Sequence, residues 1–266
     1  MARTRSFWKN GVMGFYDETN NSDYRTGVWA DCPILAIESD PSLAYVFMED
    51  FNNFQVITDA NPPTLAGWTA TQEANSLGLL RVIAGAGGIL EVDSESTTQD
   101  DKLEIQQDVA HFKVAANKDI WFEARVRVED TFDKVQTFVG LATLHTTVMP
   151  AGEMDSTDAD YIGFVSETGE AGVNSFEICK DAAELSDTMG ATGTWGEKVW
   201  TRLGFHINGI TGIHAFIDGD EIALTNVVYT GIPTTDALST TFIMGSDGSS
   251  VDPLMNVDWV KCVQLR

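Results

Sequence analysis

Glu91, Asp93 and Glu95, in the stretch LEVDSES, fall on alternate residues, so a strand through them projects three carboxylates from one face. Hydrolysis of a glycosidic bond calls for two carboxyl groups held about 5 to 10 Å apart. A chain with 40 acidic residues among 266 offers such triplets by composition alone, and no catalytic residue is assigned to them. The four histidines, His111, His145, His206 and His214, form neither H-E-x-x-H nor H-x-H, the spacings that would support a zinc site. No G-x-S-x-G elbow marks a nucleophile, and the GAGG run at 85–88 lacks the following helix and Lys-Ser/Thr pair of a phosphate-cradling loop. Those glycines read as a tight turn.

One loop has the residue types for a hard cation. GEMDSTDADYIGF gathers Glu153, Asp155, Asp158 and Asp160, and calcium takes about six to eight oxygen ligands, of which such a loop supplies about half. GSDGSSVD at 245–252 is a second acidic loop of this kind. The competing reading of both is a solvated acidic loop, so no metal and no cofactor is assigned.

Any of these groups must be held by strands. The stretches LGLLRVIAG, GILEVDS, KLEIQQD, DIWFEARVRVED, KVQTFVGLATL and MNVDWVKCVQLR all carry β-type apolar patterning. In DIWFEARVRVED, Ile120, Phe122, Ala124, Val126 and Val128 share one face, with Trp121, Glu123, Arg125, Arg127 and Glu129 on the other, as in a half-buried antiparallel strand. In RLGFHINGITGIHAFIDGDEIAL, Asn208-Gly209 and Asp218-Gly219 supply turns between alternating runs. His206 and His214 there take the parity opposite to Phe205 and Ile213. Helix signals are few and strands do not alternate with helices, so an all-β, two-sheet antiparallel sandwich is expected.

Sixteen Lys and Arg against the 40 acidic residues give a net charge of −24, which disfavours nucleic acid and anionic membrane as partners. Cys32, Cys179 and Cys262 are widely spaced and leave at least one thiol unpaired, as in a reducing compartment. Charged residues interrupt the start of the chain before any export-length apolar segment, and no run reaches the roughly 18 apolar residues of a membrane-spanning helix. A soluble protein made and assembled in a cytosol is expected.

Residues 1–48 read as an extended N-terminal arm and residues 49–266 as the β domain. Residues 1–25 carry a net charge of +1, and the arm holds Phe7, Trp8, Phe15, Tyr16, Tyr24 and Trp29 among turn residues. Aromatics in such a segment either fold back on their own domain or anchor in a partner. Arg3, Arg5, Phe7, Trp8, Phe15 and Tyr16 are the residues assigned to partner contact.

VWTRLGFHINGITGIHAFIDGDEI and NVDWVKCVQLR resemble the late and closing strands of the concanavalin A-like (laminin-G-like) jelly-roll family, and DIWFEARVRVED is similar to one of its earlier strands. The resemblance covers residues 49–266 and implies a jelly-roll sandwich. The E-x-D-x-x-E arrangement of its glucanases is absent, so the chain is expected not to be an enzyme. Within that family, an acidic, catalytically bare jelly roll with an added arm is similar to the capsid decoration (cement) proteins of tailed bacteriophages. That likeness implies a structural virion protein, often a homotrimer, that binds the major capsid protein on the outside of the head after assembly in the host cytoplasm. The alternative is a carbohydrate-binding, lectin-like module, for which Trp68, Trp121, Trp195 and Trp200 are available as sugar-stacking aromatics, with core packing as their competing role.

Overall fold

The computed structural model describes residues 4–9, 12–17, 27–52, 56–57, 64–72, 78–85, 87–95, 98–167, 174–189, 195, 197–248 and 253–266. They form two antiparallel sheets and a separate ribbon. The eight-stranded sheet runs β17 (Asp220–Ile222), β16 (Gly212–Ile217), β15 (Thr201–Asn208), β10 (Ile120–Val128), β19 (Leu254–Leu265), β8 (Gly87–Asp93) and β7 (Leu79–Gly85). The twelve-residue β19 holds β8 along residues 254–257 and β3 (Ala44–Glu49) along residues 260–265, both on the side away from β10. The nine-stranded sheet runs β14 (Ala183–Thr188), β13 (Ser175–Lys180), β12 (Tyr161–Ser166), β11 (Val135–Thr143), β18 (Leu238–Ser246), β9 (Lys102–Gln107), β6 (Trp68–Gln72), β5 (Thr64–Leu65) and β4 (Val56–Ile57).

The inward parity of each strand builds the core, as the alternation predicts. Ile120, Phe122, Ala124, Val126 and Val128 of β10 meet Leu203, Phe205 and Ile207 of β15 and, across the sandwich, Val139, Leu141, Ile162, Phe164 and Phe176. Phe122 stacks on its cross-strand partner Phe205 at 4.8 Å, and Phe205 reaches Phe176 of the opposite sheet at 5.8 Å. The register of β10 on β19 shifts between Arg125 and Val126, leaving Asp258 as the extra residue of a bulge whose carboxylate lies 2.5 Å from the Arg125 guanidinium.

The polar parities do not all face water. Residues 27–44 lie across the outer face of the eight-stranded sheet, where Val28, Cys32, Ile37 and Ala44 pack with Trp121, Phe216 and Val263. The short helix α1 (Ile34–Ser39) sits in this strap, and β3 follows it directly into the sheet. Residues 27–48, read above as arm, thus supply both a covering layer and a strand. The ribbon, β1 (Thr4–Lys9) paired with β2 (Val12–Asp17), joins neither sheet. Cys32, Cys179 and Cys262 are all free and buried. No helix among the described residues is long and apolar enough to cross a membrane.

Candidate functional site

The outer face of the nine-stranded sheet is roofed by the chain itself. Gly140 and Gly163 face each other across β11 and β12, and the Phe138 ring lies over them, within 3.0 Å of where a Cβ on either would stand. Around that ring Ala142, Tyr161, Val165, Cys179 and Ile243 form an outward apolar surface, closed by Val148, Met149, Met154 and Ala159 of the 144–160 loop. The sheet holds the loop through polar groups. Glu104 of β9 accepts the backbone N–H groups of Val148 (2.8 Å) and Met149 (3.1 Å), and Gln106 accepts that of His145 (3.2 Å) while donating to the Thr143 carbonyl. This covering pushes solvent access to the rim of the sheet.

At that rim lies a cleft of about 510 Å³, lined by Ala110, Thr143, Asp158, Asp160, Asp181 and Asp236 among others. Each aspartate is delivered by a different local device. Asp155 shapes the turn before β12 by accepting the N–H groups of Thr157 (3.0 Å) and Asp158 (3.1 Å) on one carboxylate oxygen. Asp181 and Ala182 both have positive φ, 51° and 65°, the two-residue hairpin geometry that joins β13 to β14. Asp160 links the parts: its N–H donates to the Thr143 hydroxyl (3.2 Å), and its carboxylate accepts the N–H of Asp181 (2.9 Å). Burial raises the pKa of the Asp160 carboxyl, the Asp181 N–H opposes that rise, and the carboxylates of Asp181 and Asp236 add to it. Asp158, Asp181 and Asp236 are exposed, so the cleft presents charged acceptors to whatever enters.

Beside the cleft, ligand atoms of His145, Asp155 and Asp158 lie within 4.8 Å of one another. His145 Nδ1 is 2.7 Å from the Thr147 carbonyl, a contact that orients the ring. One imidazole and two carboxylates suit a borderline divalent ion better than calcium, which takes oxygen ligands. Of the acidic loop singled out in the sequence, the structure brings Asp155 and Asp158 to this cluster and Asp158 and Asp160 to the cleft, and leaves Glu153 exposed outside both.

In comparisons with solved structures, a protein of unknown function from Shewanella oneidensis MR-1 superposes with a TM-score of 0.54 at 12% identity, covering 84% of this chain and 87% of that one. An endo-1,3-β-glucanase from Streptomyces sioyaensis gives 0.53 at 11% identity, covering 85% and 98%. Lectin II from Ulex europaeus gives 0.52 at 11% identity, covering 84% and 98%. The fold is a concanavalin A-like jelly roll. At these identities the likeness shows the fold alone. No family model and no curated protein matches the sequence.

The remaining residues singled out by sequence separate clearly. Trp68, Trp121 and Trp195 are 5%, 1% and 2% exposed and belong to apolar clusters, so they offer no stacking platform to a sugar. Trp200 is half-buried beneath the guanidinium groups of Arg125 and Arg127, at 4.6 and 4.9 Å. Glu91 and Asp93 are buried and both face Arg81, which occupies them as ion-pair partners, while Glu95 is exposed at a positive φ of 48°. His206 and His214 pair across β15 and β16 on the outer face. Arg5, Phe7, Trp8, Phe15 and Tyr16 lie on the ribbon, with Arg5 opposite Tyr16, their side chains outside the described part of the structure; Arg3 lies outside the described residues. The cleft itself was half missed by sequence reasoning, because Asp181 and Asp236 come from separate turns and only Asp158 and Asp160 share a motif.

Proposed function

We propose that the chain is a carbohydrate-binding, lectin-like module whose ligand occupies the acidic rim cleft. The observation that carries this reading is the cleft itself, a volume of about 510 Å³ where carboxylates from three separate turns converge. That is within the ordinary range for a small-molecule site, about 300 to 1,000 Å³. Carboxylates accept hydrogen bonds from sugar hydroxyls, and such charge-assisted bonds are about twice as strong as neutral ones. The likeness to a lectin and a glucanase supports the reading at the level of fold. Binding without turnover fits the placement of Glu91 and Asp93, which pair with Arg81 on the opposite sheet, away from the cleft. A glycan array with the full chain tests it: specific binding that is lost in Asp236→Asn and Asp181→Asn is expected, and no binding to any glycan overturns it.

A second reading, capsid decoration, draws support from the ribbon, which pairs only with itself and joins neither sheet. On that reading Arg5, Phe7, Trp8, Phe15 and Tyr16 contact a major capsid protein, and many weak contacts across a shell add up through effective concentration. Removing residues 2–17 then abolishes occupancy on virus particles while the sandwich stays folded; unchanged occupancy sinks this reading. A deletion reaching residue 30 is less clean, because Val28 and Trp29 belong to the strap.

A further inference from the structure

A second pocket, of about 260 Å³, lies between the start of β3, the end of β19 and the segment 111–118, and its lining includes Tyr45, His111, Lys113, Lys118, Gln264 and Arg266. On a chain of net charge −24, two lysines, an arginine and an imidazole share this one small space. Elsewhere Arg81, Arg125, Arg127 and Arg202 each face a carboxylate. Among the described residues, the side chains of Lys113, Lys118 and Arg266 have no such partner. Like charges gathered in one place repel one another, and a bound anion reverses the sign of that interaction.

The pocket wall is built rather than draped. The Gln264 side chain, 7% exposed, accepts the Lys113 N–H at 3.1 Å and donates back to the Lys113 carbonyl, fixing that backbone against β19. The Lys118 N–H closes a turn onto the Ala115 carbonyl at 3.2 Å, and the Arg266 N–H bonds the Leu43 carbonyl at 2.9 Å. Tyr45 packs at a tilt against His111, with ring centroids 4.9 Å and planes 36° apart, and against the buried Phe112 at 5.4 Å, which sets its ring beside the cations. The backbone that carries these exposed side chains is therefore fixed before binding, so a ligand has only the side chains to order.

We propose that this pocket binds a tetrahedral oxyanion, sulfate or phosphate, either free or carried as an ester on a sugar whose ring lies on Tyr45. Only the sugar-ester form rests on the carbohydrate reading above; the oxyanion site stands without it. His111 adjoins Ala110, which lines the acidic cleft, so the two sites are neighbours along the chain and opposite in charge.

The test is calorimetric titration of the full chain at low ionic strength with inorganic sulfate, inorganic phosphate, glucose 6-sulfate, glucose 6-phosphate and glucose. The oxyanion-bearing probes are expected to bind at millimolar concentration and glucose to bind far more weakly. Each of Lys113→Gln and Lys118→Gln is expected to weaken oxyanion binding by about tenfold, as loss of one charge-assisted contact would. Lys198→Gln, which removes an equal charge from an exposed turn elsewhere, leaves it unchanged. Esters that bind better than the free ions assign the site to a sugar ester, and equal binding assigns it to the free anion. No binding of any oxyanion probe, or binding that Lys113→Gln and Lys118→Gln both leave intact, overturns the proposal. A blank glycan array alongside intact sulfate binding removes the carbohydrate reading and leaves this site standing.

Discussion

The indole Nε1 of Trp29 donates to the carboxylate of Glu123 at 2.5 Å, joining two residues 94 positions apart and fastening the strap to the outer face of the eight-stranded sheet. Lys261 lies over the same indole at 4.8 Å, so the ring is held from its edge by an anion and from its face by a cation. Glu123 is 5% exposed, and burial raises its pKa, with the Trp29 bond, Arg202 and Lys261 pulling it back down.

Trp29→Phe keeps most of the apolar contact and removes the donor. The expected loss is about 1–3 kcal/mol, the cost of leaving a buried polar group without its partner. A carboxyl with a raised folded-state pKa contributes stability that is present below its unfolded value, about 4.5, and lost as pH rises through the folded value. The variant's deficit is therefore larger at neutral pH than below pH 4.5, as urea unfolding at the two pH values can measure. A deficit independent of pH would mean that the indole acts through packing alone.

Asp187 organises the 225–227 loop. Its carboxylate accepts the N–H groups of Thr225 (2.7 Å), Asn226 (2.8 Å) and Val227 (2.7 Å) and the Thr225 hydroxyl (2.6 Å). Burial raises its pKa, but the Thr225 hydroxyl and these backbone donors lower it more, to a net value below 3.8. Asp187→Asn is expected to cost about 3 kcal/mol at neutral pH by removing a multiply bonded charge. Because a lowered carboxyl pKa gives stability above the unfolded value that fades as pH falls through the folded one, wild type and variant converge below pH 3.8. Denaturant midpoints across the acid range read the convergence.

The Gly140–Gly163 pair leaves room for the Phe138 ring. A Cβ on Gly163 would stand 2.7 Å from that ring and from the Val139 carbonyl oxygen; one on Gly140 would stand 2.2 Å from the Ile162 carbonyl oxygen. Gly163→Ala is expected to lose about 1–3 kcal/mol, the usual penalty of overpacking, and Gly140→Ala more, because its backbone obstacle is closer, at 2.2 Å against 2.7 Å. Phe138→Leu should recover more of the Gly163→Ala loss than of the Gly140→Ala loss, a difference that thermal unfolding of the double variants would reveal.

His206 stacks on Trp121 at 4.9 Å, with planes 6° apart, between Asp119 and His214. Burial lowers its pKa below 6.5; Asp119 and Asp31 oppose the change and His214 reinforces it. The folded chain thus resists protonation there, and stability present above pH 6.5 is lost as pH falls through the lowered value. His206→Phe should flatten the slope of stability against pH in that window. A slope that persists assigns the acid sensitivity to other groups.

The core of this molecule was legible because alternation and turns are local. Asn208-Gly209 and Asp218-Gly219 mark the hairpins of β15, β16 and β17, and the parity of Phe122 and Phe205 gives the buried face of β10 and β15. The outer faces were not legible for the same reason. Trp121 and Glu123 alternate as a solvated face would, and Glu104 and Gln106 do likewise, yet all four are buried under segments distant in sequence. Period two says that a strand has two faces; only long-range packing decides whether the second meets water. The cleft follows this pattern too, since Asp160 and Asp236 converge only once β12 and β18 are in place on either side of β11.

The position of β19 between β10 on one side and β8 and β3 on the other bears on how the chain is made. Arg125 and its partner Asp258 are 133 residues apart, so β3, β8 and β10 leave the ribosome long before the strand that unites them. Until residues 254–265 emerge, those three strands have open edges facing a missing neighbour, the condition that slows folding and invites edge-to-edge association between nascent chains. Exposure to such association therefore lasts until β19 emerges and closes the central seam of the eight-stranded sheet.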